Sequence, residues 1–255
     1  TKGISFVPTM GALHKGHISL IKKSKKSRLK TLVSIFVNPK QFHKKRDFTN
    51  YPRKTTKDIK LLKKLKINYL YIPTSKDIYG FKPRNKIFLD KSSKKLCGKF
   101  RKGHFEGVLN VVNRFIEIIR PKYIYLGKKD YQQLFLIKRH IKKRKIKSRI
   151  VECETIRENN GVACSSRNSK LDKNQIKIAS NIQNYLSNLK KKIRKNYNLF
   201  NINKIRKDLI NLGANKIDYI ENYNIKNFKK IKRQNKKFNI FIAYYIKNIR
   251  LIDNI

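Results

Sequence analysis

The chain has 255 residues, 39% of them hydrophobic, which is low but sufficient for the core of one large domain or two small ones. Its formal net charge of +50 comes from 65 Lys+Arg against 15 Asp+Glu and by itself points to nucleic acid or an anionic membrane. The lysines form no block or face but fill surface positions from Lys22 to Lys247 among abundant Asn and Ile, so the basicity reads as a bias of the whole chain and nucleic-acid binding is kept only as the second hypothesis.

Ile4–Val7 is a short apolar run that reads as a buried strand. Met10-Gly11-Ala12-Leu13-His14-Lys15-Gly16-His17 is a glycine-bearing turn, and a helix is expected from Ile18 to Lys30. A strand, a turn and a helix start make a ready anion site, with free N–H groups and the positive dipole end facing the ligand. Thr31–Val37 is β-branched and reads as a second buried strand, stopped by Asn38-Pro39. A helix is expected over Lys57–Lys66 and a third strand over Tyr69–Ile72. Ile78–Arg101 is irregular and basic, with a strand possible at Ile87–Leu89. Arg101–Val108 enters a helix that runs to Ile119. A fourth strand, Tyr123–Leu126, passes through Gly127 into a helix at Leu134–Lys142, and Ile150–Cys153 is a fifth strand. This alternation predicts a parallel, Rossmann-like α/β sheet over residues 1–154. Residues 155–255 read as a smaller α+β domain, with helices at Asp172–Lys192 and Ile202–Leu212 and strands at Ile217–Ile220, Asn239–Tyr245 and Arg250–Ile252. The Lys190–Lys195 run reads as a solvated helix end.

Cys97, Cys153 and Cys164 are odd in number, far apart and without a CxxC pair, so neither a disulfide framework nor a zinc knuckle is indicated, and a reducing, cytoplasmic location fits. No run approaches the roughly eighteen apolar residues of a membrane span, and no signal peptide is visible. The chain opens almost directly on its first strand; either a leading segment is missing or the chain is naturally short.

Gly11 and Gly16 have the glycine spacing of a P-loop, but His17 and Ile18 stand where Lys and Ser/Thr are required. His14 and His17 lack a Cys or carboxylate at zinc-ligand spacing. Two histidines on a phosphate-binding turn remain, able to donate hydrogen bonds to phosphoryl oxygens. Met10–His17, Asn38–Phe42 and Gly127–Gln133 fall at strand ends of one sheet, where α/β proteins bind ligands. Ser165–Asn168 could close over them as a lid. This set suits a nucleoside triphosphate, while the neutral amides Asn38, Gln41 and Gln133 suit a hydroxylated small molecule. No Ser-His-Asp triad or carboxylate pair is readable, so positioning and charge stabilisation are the expected source of catalysis. His104 reads equally as a loop-packing or a site histidine; His43 and His140 read as surface residues.

Pro8–His17, Val33–Phe42, Tyr51-Pro52-Arg53, Gly103-His104-Phe105, Lys129–Gln133, Ser165-Ser166-Arg167-Asn168 and Arg250–Asn254 together resemble pantothenate synthetase, in that family's order and spacing over essentially the whole chain. The His-x-Gly-His element is shared with a wider nucleotidyltransferase superfamily; the other motifs narrow it. The resemblance implies a two-step ligase: pantoate attacks the α-phosphate of Mg-ATP to give pantoyl adenylate and pyrophosphate, and β-alanine then displaces AMP. It implies that Met10, Gly11, Ala12, Leu13, His14, Lys15, Gly16 and His17 line the ATP site, with His14 and His17 on the phosphates and His17 the proton donor. Gln41 and Gln133 would hold pantoate, Gly127 and Asp130 the ribose, Lys129 a phosphate and Ile156 the adenine. Cys164, Ser165, Ser166 and Arg167 would form a mobile phosphate-gripping loop. Asp58 is a candidate magnesium (Mg2+) ligand by position, with much of the coordination expected from ATP and water, and a homodimer is expected. Lys128 stands where the family has Glu, Cys97 where Glu precedes Gly98, and Lys102 where Pro is usual.

Overall fold

The computed structural model describes residues 3–43, 45–231, 233 and 237–255. The chain divides into two compact units, Thr1–Ile156 and Arg157–Ile255. In chain order the first contains β1 (Ile4–Thr9), α1 (Lys15–Lys25), β2 (Lys30–Ile35), α2 (Lys45–Thr49), α3 (Thr55–Lys64), β3 (Tyr69–Tyr71), α4 (Ser75–Tyr79), α5 (Cys97–Phe100), α6 (His104–Ile119), β4 (Tyr123–Gly127), α7 (Tyr131–Lys143) and β5 (Arg149–Cys153). The strands form one parallel sheet in the order β3-β2-β1-β4-β5.

Side chains alternate across a strand, and here the central strands β1, β2 and β4 are buried on both faces, so apolar residues and small buried hydroxyls (Ser5, Thr9, Thr31, Ser34) fill them. On β1, Phe6 packs with Phe36, Leu109 and Phe115 on one side, the Phe6 and Phe115 rings 5.3 Å apart, while Val7 packs with Ile21, Val33, Leu62 and Tyr125 on the other. The chain leaves β1 toward β2 and β3, then returns to place β4 on the opposite side of β1. The strand order therefore reverses between β1 and β4, and the crevice outside their carboxyl ends is where such sheets bind ligands. Because β2, β1 and β4 are adjacent and parallel, the loops that follow them emerge side by side.

Two local expectations are corrected. The helix expected to reach Lys30 ends at Lys25: Ser24 and Ser27 hydroxyls turn back onto the carbonyls of Ile21 and Ser24, Arg28 adopts φ +60°, and Lys30 already belongs to β2. Ile87–Leu89 joins no sheet; the Phe88 N–H is taken by a side chain, His140 Nδ1, at 3.0 Å.

The second unit contains α8 (Lys173–Lys195), α9 (Ile202–Asn211), β6 (Lys216–Asn224), β7 (Phe238–Ile246) and β8 (Ile249–Asn254). Its strands form an antiparallel β6-β7-β8 sheet. Asp172 and Gln175 make a capping box at the start of α8, whose Ala179, Ile182, Leu186 and Ile193 pack with Ile240 and Ile242. Lys190 is no solvated end residue: its ammonium donates to Asn239 Oδ1 at 2.8 Å, and burial lowers its pKa to about 8.

Candidate functional site

The β1–α1 turn supplies most of its own hydrogen-bond partners. Gly11 N–H donates to Thr9 Oγ1 (3.2 Å), Ala12 and Leu13 N–H to the two Asp58 oxygens (2.7 and 2.9 Å), His14 N–H to His17 Nδ1 (3.4 Å) and Gly16 N–H to His14 Nδ1 (3.1 Å). The expectation that free amides bind the anion here is thereby corrected: these five N–H groups already have acceptors, three within the β1–α1 segment and two on Asp58 of α3. The histidines act as a capping box at positions usually held by Ser/Thr and Glu/Gln. Since each Nδ1 accepts, the proton of each neutral ring sits on Nε2.

The two rings lie 4.0 Å apart between centroids. Burial, then the His14 and Lys129 charges, lower the His17 pKa from 6.5 to about 3, so His17 is neutral at physiological pH. Among the described residues its Nε2 has no acceptor.

At the end of β2, Asn38 is 1% exposed and cannot offer a surface to a small molecule. Its Nδ2 donates to Gly107 O (3.1 Å) and Gln41 Oε1 (3.3 Å), while its Oδ1 accepts from Tyr79 OH (2.6 Å) and Lys40 N–H (3.2 Å). Burial pushes the Tyr79 pKa up to about 12 and keeps it a donor. Gln41 Nε2 in turn donates to Met10 Sδ at 2.6 Å, joining the β2 loop to the β1 turn. His104, which the sequence left undecided, is buried: Nδ1 bonds Gln41 O at 2.8 Å and Nε2 faces Arg101 Nη1 at 3.0 Å. It fixes the Gln41 main chain.

At the end of β4 the helical offset separates two glutamines. Gln132 is buried and satisfied, accepting from Cys97 N–H (3.1 Å) and donating to Ser92 O (2.9 Å) and Lys95 O (2.7 Å). Gln133 is half-buried, and among the described residues its amide has no partner. Lys128 pairs with Glu154. Lys129 is 17% exposed, lies 3.9 Å from Asp130 Oδ1, and its charge is felt at His17. A Cβ on Gly127 would meet no protein atom within 4 Å.

In the second unit the Ser165–Arg167 turn stands on a short hairpin closed by Glu158 N–H to Val162 O at 2.8 Å. Arg157 clasps that hairpin to β8: its guanidinium pairs bidentately with Asp253 (2.7 and 3.1 Å) and also donates to Gly161 O and Asn254 O. The Arg250–Asn254 motif therefore has a structural task that the sequence did not reveal. Cys164 is buried against Glu158, 3.1 Å from its Oε1. Ser165 Oγ accepts from Arg167 N–H at 3.2 Å, and the half-buried Arg167 guanidinium has no partner among the described residues of that unit. Ser166 and Ile156 are half-buried.

Two further expectations fail. His140 is no surface residue: it is fully buried, accepting from Phe88 N–H and donating through Nε2 to Asn113 Oδ1 at 3.1 Å. Asp58 does not fit magnesium: it is 3% exposed, and both oxygens are engaged by backbone N–H groups. Among the described residues no group of three His, Cys, Asp or Glu side chains could hold a metal ion.

The family model described as pantoate-beta-alanine ligase matches residues 1–255. A pantothenate synthetase of Flavobacterium psychrophilum is 41% identical, the alignment covering 100% of this chain and 92% of that protein. One of Caldicellulosiruptor saccharolyticus is 39% identical over 100% of this chain and 91% of its own length. Among solved structures, the pantoate-beta-alanine ligase of Francisella tularensis, complexed with beta-gamma ATP and beta-alanine, matches with a TM-score of 0.82 at 39% identity, covering 99% of this chain and 89% of that one. Pantothenate synthetase of Thermus thermophilus matches with a TM-score of 0.87 at 27% identity over 100% of this chain and 93% of its own. None of these supports the nucleic-acid alternative. With a family match over its whole length and relatives near two-fifths identity, the chain belongs to the pantoate–β-alanine ligase family.

Proposed function

We propose that the chain condenses pantoate with β-alanine at the expense of ATP, through a pantoyl adenylate, releasing AMP and pyrophosphate. The observation that carries this reading is the pair of adjacent, mutually tilted histidine rings at the strand-order reversal, with the proton on Nε2 and Lys129 close enough to act on His17. In the first step a pantoate carboxylate oxygen bonds to the α-phosphorus, and the bond to the bridging oxygen of pyrophosphate breaks. Charge grows on the leaving pyrophosphate, where the neutral His17 Nε2–H and the Lys129 ammonium can stabilise it. A histidine held neutral is a donor at any physiological pH, so its role does not depend on protonation from solvent.

Gln133 and Gln41 are assigned to pantoate. Both are uncharged, so they orient it by hydrogen bonds without competing for its carboxylate as a cation would. Asn38 is a positioning residue for Gln41 and not a contact to substrate. Gly127 leaves room for the ribose, Asp130 is its partner, and Met10–Leu13 and Ile156 are assigned to the nucleotide. Ser165, Ser166 and Arg167 are assigned to its phosphates, Arg167 as a charge-assisted donor. Magnesium belongs to the reading only as an ion brought by the phosphates of ATP. In the second step the β-alanine amine attacks the acyl carbon, and the acyl C–O bond breaks with that oxygen leaving on AMP.

The reading also includes a homodimer in the cytoplasm, to be checked by sedimentation equilibrium and by localisation in cells; no helix among the described residues is long and apolar enough to cross a membrane. The chemistry is tested with pantoate carrying heavy oxygen in its carboxylate. One labelled oxygen is expected in AMP. Label in inorganic phosphate, with ADP as product, would show attack at the γ-phosphate and overturn the roles given to His14 and His17.

A further inference from the structure

We propose that the Asp58 carboxylate is the resident anion of a backbone nest, and that Asp58 is the positioning residue that holds the Met10–Leu13 turn in the conformation presenting His14 and His17. Gly11 and Ala12 adopt φ of +75° and +49°, two successive left-handed residues. For Ala12 this is a strained conformation, because its Cβ crowds the following carbonyl. In this turn conformation the neighbouring Ala12 and Leu13 N–H groups point toward one concavity, which attracts an anion. In a nucleotide-binding turn that anion is usually a phosphate. Here the concavity faces inward: Ala12 N–H meets Asp58 Oδ2 at 2.7 Å and Leu13 N–H meets Oδ1 at 2.9 Å.

Asp58 lies in the first turn of α3, where its own N–H donates to Lys54 O at 2.9 Å, so the carboxylate is aimed by a helix rather than by a loop. It is 3% exposed. Gly11, whose φ of +75° favours glycine, is also closely approached: a Cβ there would lie 3.1 Å from Asp58 Oδ2 and equally close to Ile35 Cγ2. Two charge-assisted bonds to one rigid acceptor hold a turn that Ala12 would otherwise leave. The same two bonds withhold Ala12 and Leu13 N–H from phosphate, and this is why the histidine side chains, not the amides, are left to meet the nucleotide. The structural part of this claim is independent of the substrate; its catalytic consequence rests on the proposed ligase reaction.

The test separates a turn anchor from a magnesium ligand. Backbone hydrogen exchange on the wild-type chain should show Ala12 and Leu13 amides protected in EDTA and equally protected in millimolar Mg2+. Asp58→Asn keeps the shape but sets an amide NH2 against one of the two N–H donors. It should lower the melting temperature of the metal-free protein by about 5 °C or more, and reduce kcat at least tenfold with the Mg2+ concentration for half-maximal rate unchanged. Adding Ala12→Gly, which makes the left-handed turn accessible without strain, should restore part of the lost kcat. The proposal is overturned if the two amides lose protection when Mg2+ is added. It is equally overturned if Asp58→Asn leaves the metal-free melting temperature unchanged while raising the half-maximal Mg2+ concentration tenfold. The exchange and melting measurements use no substrate, so they stand even if the ligase reading fails in the wild-type chain.

Discussion

Gly107→Ala is a small change expected to disable the side of the site proposed to bind pantoate. Gly107 lies in the first turn of α6, against the Asn38–Gln41 segment. An added Cβ would sit 2.1 Å from Lys40 O, 2.5 Å from Lys40 C and 2.7 Å from Gln41 N. All three are backbone atoms, so no flexible side chain can swing aside, and α6 and the segment must separate by about 1 Å to reach ordinary contact. Alanine's better helix propensity returns about 0.5–1 kcal/mol. Against that stand an overpacking cost of about 1–3 kcal/mol and the weakening of two bonds that span the same gap, Asn38 Nδ2 to Gly107 O at 3.1 Å and His104 Nδ1 to Gln41 O at 2.8 Å. Each such bond contributes about 1 kcal/mol. The net loss is about 2–4 kcal/mol, or roughly 4–15 °C in melting temperature for a chain of this size. Gln41 would move with the segment, and a misplacement of about 1 Å at a substrate-orienting group costs on the order of 10² in rate. Differential scanning fluorimetry and AMP formation against pantoate concentration measure both effects. A variant melting within about 1 °C of wild type and turning over within a factor of about two would refute the steric argument.

His17→Ala should lower kcat by roughly 10²–10³, the usual cost of one transition-state donor, with a smaller effect on ATP affinity; steady-state kinetics within a factor of a few of wild type would remove His17 from its role. His140 should make the protein acid-labile. Burial, then the Arg144 charge, lower its pKa from 6.5 to about 4, so the unfolded chain takes up a proton below pH 6.5 that the native chain refuses. Its contribution to stability is intact above pH 6.5 and is lost as pH falls toward 4, at about 1.4 kcal/mol per pH unit. Urea unfolding from pH 7.5 to 4.5 should show His140→Gln with a shallower pH slope by up to one proton; an unchanged slope would contradict the buried neutral state.

Much of the sheet and of the candidate site was legible because its signals are local. Thr31–Ile35 is rich in β-branched and apolar residues because β2 is buried on both faces, and Asn38-Pro39 follows it. Glycine turns and amphipathic helices marked the places where β1 and β4 give way to α1 and α7, which is where the structure puts the turn bearing His14 and His17 and the one bearing Lys129 and Gln133. What the sequence could not disclose is where each polar group finds its partner. Ile87–Leu89 has strand-like residues, yet its central N–H is satisfied by His140 from α7. Gln132 and Gln133 are the same residue type side by side, and only packing against the Ser92–Cys97 segment separates the fastener from the ligand candidate. Asp58 was a metal candidate only by its position in the family resemblance; its partners, Ala12 and Leu13, lie 46 and 45 residues earlier in the chain. Element type and order follow from short-range periodicity and steric preference, which one strand or helix carries by itself. The state of a buried polar side chain is decided by acceptors and donors brought from distant parts of the chain, and those distances exist only once the sheet has assembled.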